Sequence, residues 1–394
     1  MNKKALVIGA NIDSVHTIEN AHKHNIFVVA VDGNPNAGGF EYADKAINVD
    51  ISDVDAVCKV VEEEKPDFIL TVPIGRYIST IGYVNSKYNL KGINFEATEL
   101  SSDKYLFHKK LNENGLRHIK LYLINKDTDF EKISIPYPAI MKPRFGSGSR
   151  DVYYITNDDE LKKAYDKAIS LDEDFVLEEA FQGTEYGVDL AVVDDEVHLV
   201  LVRGKSMTPL PERQEVAYFS TTRDSENAEL TEKIKEKLEK VLGVLKYNDC
   251  LVNADVMVSD DGKDVNIIEI APRPSGHNLH NLLTPISTGV DVSDEFIKFL
   301  IGEKYNFEPS EIKQTEIHYF DFEDRVISKV PSLEDLQENK DLNILAWECN
   351  IKDGDYMCKV TDGHSVMHRG FFVIEGKSRA DLESQTSYIL SQFI

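Results

Sequence analysis

The 394-residue sequence predicts a chain of α/β and α+β parts: an open parallel sheet over residues 1–95, an α+β unit over 96–302 and a small α+β region over 303–394. Three observations carry this. At about 150 residues per domain, two or three domains are expected, each able to bury a core. In the first hundred residues short apolar runs alternate with helix-period segments, the pattern of a parallel sheet with right-handed crossovers. A fresh helix start, SSDKYLFHKKL, then opens a second unit and sets the boundary near residue 95.

Taken in order, KALVIG, FVVAVD, KAINVD and DFILTVP are the strands of the first unit, with helical patterns starting at Asp13 and Asp53. A dinucleotide site would need G-x-G-x-x-G after the first strand, and only Gly9 fits. Asp32 ends the second strand where a ribose-binding acid would sit, but without the glycines it does not carry an NAD reading. Ser101 to Leu111 reads as a helix in which Ser101 or Ser102 satisfies orphan amides and Asp103 suits the first turn. Tyr137 to about Val202 holds four short strands and one helix. The polar stretch from Lys205 to Asn227, with its two prolines, reads as a long loop of the kind that covers ligands. Leu230, Ile234, Leu238, Val241, Leu242 and Leu245 recur at helical spacing and form the apolar stripe of a helix packed on the sheet. Two strands joined by Asp260-Asp261-Gly262-Lys263 follow, then helices beyond Gly276 and from Asp291 to Leu300.

Composition narrows the function. Hydrophobic residues at 42% and charged residues at 29% describe a chain that folds. Lys plus Arg 44 against Asp plus Glu 69 gives a net charge of −25, which repels phosphate backbones and anionic membranes. Nucleic acid and membrane are therefore not expected partners. The N-terminus reaches polar and acidic residues too soon for a signal peptide, and no apolar window of about 18 residues occurs, so a cytoplasmic location is expected. Cys58, Cys250, Cys349 and Cys358 form no CxxC pair, which predicts buried thiols and no disulfide framework or zinc finger.

Three runs carry chemistry. In IMKPRFGSGSRDVYYI a strand delivers Lys142, and Gly146, Ser147, Gly148 and Ser149 form a loop whose amides and hydroxyls suit phosphate oxygens, with Lys142 and Arg150 adding charge. The same letters also describe an exposed glycine-serine hairpin. FVLEEAFQGTEYGVDLAVV holds Glu178 and Glu179 at a strand end and Glu185 seven residues after the first; a connector there can present backbone groups to an adenine edge while a carboxylate holds ribose hydroxyls. An acidic turn on an acidic protein is the plainer alternative. In the third run, NADVMV and VNIIEIAPRPSGHN place Asp255 and Glu269 on adjacent strands, so a hairpin can bring both carboxylates to one face, an oxygen-ligand set that magnesium accepts with phosphates and water. Arg273, flanked by Pro272 and Pro274, could stabilise charge on a transferring group or simply pair with Glu269.

Other motifs fail on inspection. Arg203-Gly204-Lys205-Ser206 ends like a P-loop, but Leu199 stands where the first glycine is needed. His277-x-x-His280 has no nearby third ligand. The acids from Asp260 to Asp264 lack the spacing of a calcium loop, and no G-x-S-x-G elbow occurs.

In order and spacing the three runs, with DKYLFHKKL, resemble the ATP-grasp superfamily, in particular its carboxylate-amine (amino-acid) ligases and relatives such as D-alanine ligase, biotin carboxylase and the purine-biosynthetic members. The resemblance covers about residues 1 to 302. It implies a Rossmann-like pre-ATP-grasp domain over 1–95 and an ATP-grasp domain over 96–302 whose two lobes clamp ATP, followed by the C-terminal region. Lys104 and Lys142 match the two ATP lysines, and Gly146 to Ser149 the glycine-rich flap. Glu178, Glu179, Ala180 and Phe181 resemble the adenine hinge, Glu185 the ribose-binding acid, Asp255 and Glu269 the magnesium ligands. Arg273 resembles the arginine that contacts the acyl phosphate or acid substrate.

The resemblance implies an ATP-dependent ligase, with Mg2+ as cofactor and Mn2+ able to substitute, that converts a small carboxylic acid to an acyl phosphate and joins it to an amine with release of ADP and phosphate. Two alternatives stand beside it: a purine-type or carboxylating member using bicarbonate or formate, and a non-catalytic ATP-binding regulator. One departure bears on the second metal position, because Ala271 stands where the family usually writes the asparagine of E-x-N-x-R. The substrates, a small carboxylate and an amine, are not identified by any motif; Arg76, Arg203 and His277 are the candidate contacts, with Lys205 and Arg213 as further carboxylate anchors. The flap and the segment from Ser206 to Asn227 are the expected lids. A homodimer is the commonest assembly for such a chain.

Overall fold

A computed structural model describes residues 3–146, 151–209, 213–221, 227–360 and 363–394. Strands β1 (Lys4–Ile8), β2 (Phe27–Asp32), β3 (Lys45–Asn48) and β4 (Phe68–Leu70) form a parallel sheet in the order β3-β2-β1-β4. Helices on both faces explain why β1 and β2 are near-continuous apolar runs with no inward–outward alternation. The helix Val54–Glu64 begins where Asp53 accepts from the Ala56 amide, as its sequence predicts. A second helix boundary differs from expectation. Ser101 and Ser102 close the helix Phe95–Ser102, capped by Asn94, and Asp103 caps the next one, Lys104–Glu113, by accepting from Leu106 N.

Strands β5 (Leu121–Ile124), β6 (Ala139–Pro143), β7 (Tyr153–Ile155) and β8 (Phe175–Glu179) make a small antiparallel sheet ordered β5-β8-β6-β7, its core closed by the helix Asp158–Ser170. The rest of the chain builds around a larger sheet. Strands β9 (Thr184–Val193), β10 (Glu196–Met207), β11 (Glu215–Ser220), β12 (Cys250–Val258) and β13 (Val265–Ala271) are joined by β14 (Thr315–Tyr319), β16 (Ile344–Cys349) and β18 (Gly370–Glu375). The order is β13-β12-β9-β10-β11-β14-β18-β16, so the C-terminal region extends the sheet of the preceding unit through the pairing of β11 with β14. A separate ribbon pairs β15 (Arg325–Ile327) with β17 (Asp355–Met357).

The Lys205–Asn227 segment is therefore not one long loop. Glu215–Ser220 is a strand inside the large sheet, bonded on both sides, and cannot swing as a lid. Its Val216, Tyr218 and Phe219 are β-formers, and the prolines before them at 209 and 211 drew the reading toward a loop. Residues 210–212 and 222–226 lie outside the described residues.

The helix Ala228–Leu245 buries Ile234, Leu238, Val241, Leu242 and Leu245 as its spacing predicts. These residues share one apolar core with Leu6 and Ile81 of the first unit and Val252 of the large sheet, so the parallel sheet is fixed against the β-strands that carry the site. The four cysteines divide: Cys58 and Cys250 are buried, Cys349 is half-buried and Cys358 is exposed, which corrects the expectation of four buried thiols. Among the described residues no helix is long and apolar enough to cross a membrane.

Candidate active site

A cleft of about 700 Å³ opens where the first unit, the small sheet and the large sheet meet. Its floor is one face of the large sheet. Antiparallel register sets Asp255 opposite Glu269 and Asn253 opposite Ala271, so period-2 alternation puts all four side chains on one face. On the next strand Gly187 stands opposite both Asp255 and Arg203. A Cβ at Gly187 would lie 3.1 Å from the Arg203 guanidinium, so the glycine leaves the room in which that group rests.

Charge pairing on this floor is dense. Lys205 Nζ lies 2.7 Å from Glu185 Oε1, 2.7 Å from Asp255 Oδ1 and 3.4 Å from Glu215 Oε1. Burial pushes the Lys205 pKa down, but Asp255, Glu185 and Glu215 outweigh it and hold it well above the ordinary lysine value. Lys205 is thus a buried counter-ion and not a free anchor for substrate. Arg203 is likewise 1% exposed, lines the cleft and donates to Asp189 Oδ1 (3.2 Å) and Asn253 Oδ1 (2.9 Å).

Glu269 makes no hydrogen bond or ion pair among the described residues and faces the cleft. Arg273 donates to the Pro274 carbonyl at 3.0 Å and forms no ion pair with Glu269 among the described residues, so the simple structural-pair reading of these two does not hold. Burial lowers the Arg273 pKa against the opposing pull of Glu269, Asp255, Asp13 and Asp189; an arginine nonetheless stays charged.

The roof comes from the small sheet and the helix Lys104–Glu113. Lys104 Nζ donates to the Gly146 carbonyl at 2.6 Å, and its backbone amide to the Arg144 carbonyl at 3.2 Å. Arg144 in turn grips Asp103 with Nε at 3.0 Å and Nη2 at 2.6 Å, and Asp174 at 2.9 Å, which ties the root of the Gly-Ser run to the cap of the lysine's helix. Ser147, Gly148, Ser149 and Arg150 lie outside the described residues. Lys142 lines the cleft and pairs with Glu178 Oε1 at 2.7 Å.

Glu178 itself is 3% exposed and does not line the cleft. Its other partners are Arg117 Nη2 at 3.2 Å and His108 Nε2 at 3.1 Å. Burial pushes its pKa up, but His108, Lys142 and Arg117 outweigh burial and hold it well below the usual carboxylate range. The Glu179 carboxylate accepts from Lys120 N at 3.1 Å, the Ala180 amide donates to Pro138 O at 2.9 Å, and Phe181 lies under the Arg117 guanidinium at 4.4 Å. None of the four predicted hinge residues is among those lining the cleft, although Glu185 is.

Of the candidate substrate contacts, His277 lines the cleft at a left-handed φ of 59°, and its carbonyl accepts from the Tyr319 hydroxyl. Arg76 is exposed, stacks 5.4 Å from the Tyr77 ring and stands outside the lining.

Comparison with known proteins matches residues 101–277 to the ATP-grasp domain. These residues are an ATP-grasp domain. The chain is similar to the C-terminal section of the carbamoyl phosphate synthase large chain of Aquifex aeolicus, 23% identical over 73% of this chain and 58% of that protein. It is also similar to D-alanine–D-alanine ligase of Campylobacter lari, 24% identical over 51% of this chain and 58% of that enzyme. The matches thus span less than two thirds of these curated relatives. Among solved structures, L-amino acid ligase from Bacillus licheniformis superposes with a TM-score of 0.80 at 17% identity, covering 100% of this chain and 98% of that one, a likeness of fold.

Within the ATP-grasp domain, Lys104, Lys142, Glu185, Asp255, Glu269 and Arg273 all face one cleft. Sequence reasoning missed the groups that surround them. Asn253 was within reach, since it lies two residues before Asp255 and so on the same strand face. Arg117 and His108 gave no signal, because their meeting with Glu178 depends on how the helix Lys104–Glu113 packs on β5 and β8.

Proposed function

We propose that this chain is an ATP-dependent carboxylate–amine ligase that activates a small carboxylic acid as an acyl phosphate and joins it to an amine, releasing ADP and phosphate. The observation that carries the reading is the convergence, within a matched ATP-grasp domain, of two lysines, two registered carboxylates and one arginine on a single cleft.

The donor set suits magnesium. Asp255 and Glu269 offer hard carboxylate oxygens on one sheet face, Glu269 has no other partner among the described residues, and two carboxylates plus phosphate and water are what this ion takes. Among the described residues no third His, Cys, Asp or Glu joins them. Bound there, magnesium would neutralise phosphate oxygens. Lys104 and Lys142 add positive charge from the opposite side, fixed by Gly146 and Glu178 respectively. Arg273 lines the cleft and, among the described residues, donates to the Pro274 carbonyl alone, so it can hold the acid while charge moves onto it. Glu185, shared with Lys205, stands as the acceptor for ribose hydroxyls.

The test is magnesium-dependent phosphate release from ATP over a panel of carboxylates paired with amines, beside Glu269→Ala and Arg273→Ala. Release that needs both an acid and an amine and vanishes in both variants is the expected result. Absence of ATP binding by calorimetry would sink the reading.

A further inference from the structure

Strand register gives Asn253 a definite place on the floor. On β12 it precedes Asp255 by two residues, and its opposite number on β13 is Ala271, as Glu269 is that of Asp255. Same-face positions along a strand are about 7 Å apart, so Asn253 stands one step from the Asp255–Glu269 pair. That step is toward Arg273, which follows Ala271 by two residues. Opposed side chains have Cβ atoms about 5 Å apart, and Ala271 ends at its methyl group, so no longer side chain on β13 covers Asn253. Both residues line the cleft. The charged groups that share this face are Asp255 with its partner Lys205, Glu269 and Arg273.

The amide of Asn253 is fixed by its oxygen. Arg203 Nη2 donates to Asn253 Oδ1 at 2.9 Å, and a guanidinium has no acceptor, so the oxygen is the atom turned to it. Asn253 Nδ2 makes no hydrogen bond among the described residues and is not sealed from solvent. The half-buried side chain thus presents unused N–H donors to the cleft it lines. Behind it the polar chain is anchored: Arg203 Nη2 also donates to Asp189 Oδ1 at 3.2 Å, and Asp189 Oδ2 accepts from the Thr284 hydroxyl at 2.7 Å. Arg203, Asp189 and Thr284 are all buried. A cation bonded to the amide oxygen polarises the amide and strengthens its N–H groups as donors.

From this placement we infer that Asn253 binds the terminal phosphoryl group of the nucleotide, donating an N–H to one of its oxygens. The inference rests on the ligase reading of this cleft and deepens it. The carboxylates proposed for magnesium lie on one side of Asn253 and Arg273, the proposed holder of the acid, on the other. A group passing from the nucleotide to the acid occupies the step between them. A hydrogen bond to a charged phosphoryl oxygen is stronger than one between neutral groups, and the Arg203 bond has already oriented the donor. ADP lacks the terminal group, so Asn253 separates the two nucleotides. A residue that served only to hold Arg203 would need its oxygen alone and would make no such separation.

Equilibrium binding tests this without turnover and without knowledge of the acid. Calorimetry on the full chain with magnesium compares ADP with adenylyl imidodiphosphate, a non-hydrolysable ATP analogue. Asn253→Ala should lower the affinity for the analogue about tenfold, a difference of about 1.4 kcal/mol, and leave that for ADP within about twofold. Asn253→Asp keeps an acceptor for Arg203 and loses the N–H donors, so it should lose at least as much affinity for the analogue as Asn253→Ala while ADP binding is again retained. The inference is overturned if either variant keeps the wild-type ratio of the two affinities, including the case in which both affinities fall together. If the wild type binds neither nucleotide, the ligase reading falls and the inference with it; if both nucleotides bind and the ratio does not move, the inference alone falls.

Discussion

Lys205 and Asp255 meet at 2.7 Å across the intervening strand β9, so the ammonium of one buried lysine already holds the carboxylate proposed for magnesium. Taking that lysine away leaves Asp255, Glu185 and Glu215 facing one another. Lys205→Met should therefore destabilise the fold by about 3–5 kcal/mol in urea without magnesium. Added magnesium should recover more stability in the variant than in the wild type, because the freed carboxylates then gain a cation. Equal magnesium responses would show that the lysine and the ion do not share Asp255.

Glu178 predicts an acid limit. Its pKa is held below the ordinary glutamate value of 4.5, so its contribution to stability is complete above that value and is lost as pH falls toward the lower folded value. Glu178→Gln should flatten stability against pH below about pH 4.5, where the wild type falls steeply. It should also cost about 3 kcal/mol at neutral pH, since Lys142 and Arg117 lose a buried counter-ion. A Glu179→Gln control should cost under about 1 kcal/mol, its carboxylate holding one backbone amide.

His318 predicts the opposite limit. Burial pushes it down, but Asp321 at 3.4 Å and Glu316 at 3.3 Å outweigh burial and raise it to about 9. A raised histidine pKa contributes fully below the unfolded value of 6.5 and is lost as pH rises through about 9. Thermal stability should fall across that window in the wild type, and His318→Phe should remove most of the slope.

Arg144→Ala should loosen the proposed nucleotide end of the cleft without touching the carboxylates proposed for the metal. Its bonds to Asp103 and Asp174 set the root of the run that ends at Gly146, the acceptor of Lys104. ATP affinity should fall about tenfold or more, while Mn2+ binding, followed by electron paramagnetic resonance, should change less than twofold. A matching loss of both would point to general unfolding.

Much of this was legible in the letters. The parallel sheet followed from alternation, the helix Ala228–Leu245 from its leucine spacing, and the Asp255–Glu269 pair from two strands joined by a tight turn. Local rules govern all three. Glu215–Ser220 escaped, because prolines close to a strand look like a loop until its partners β10 and β14, one of them about a hundred residues away, are known. The fates of Glu178, Arg203 and Lys205 escaped for a related reason. A charged residue in a strand reads as a ligand contact or a surface group, and only packing from distant segments shows it to be buried among counter-charges.

The pairing of β11 with β14 makes the last ninety or so residues a structural seam and not an appendage. A polypeptide ending at Gly302 would bare the full edge of β11, a row of unanswered amides and carbonyls beside the strand that carries Lys205. Such an edge recruits other chains. Truncation is thus expected to promote association through sheet extension, and the loss of activity that follows would report on self-association before it reported on any chemistry of the missing part.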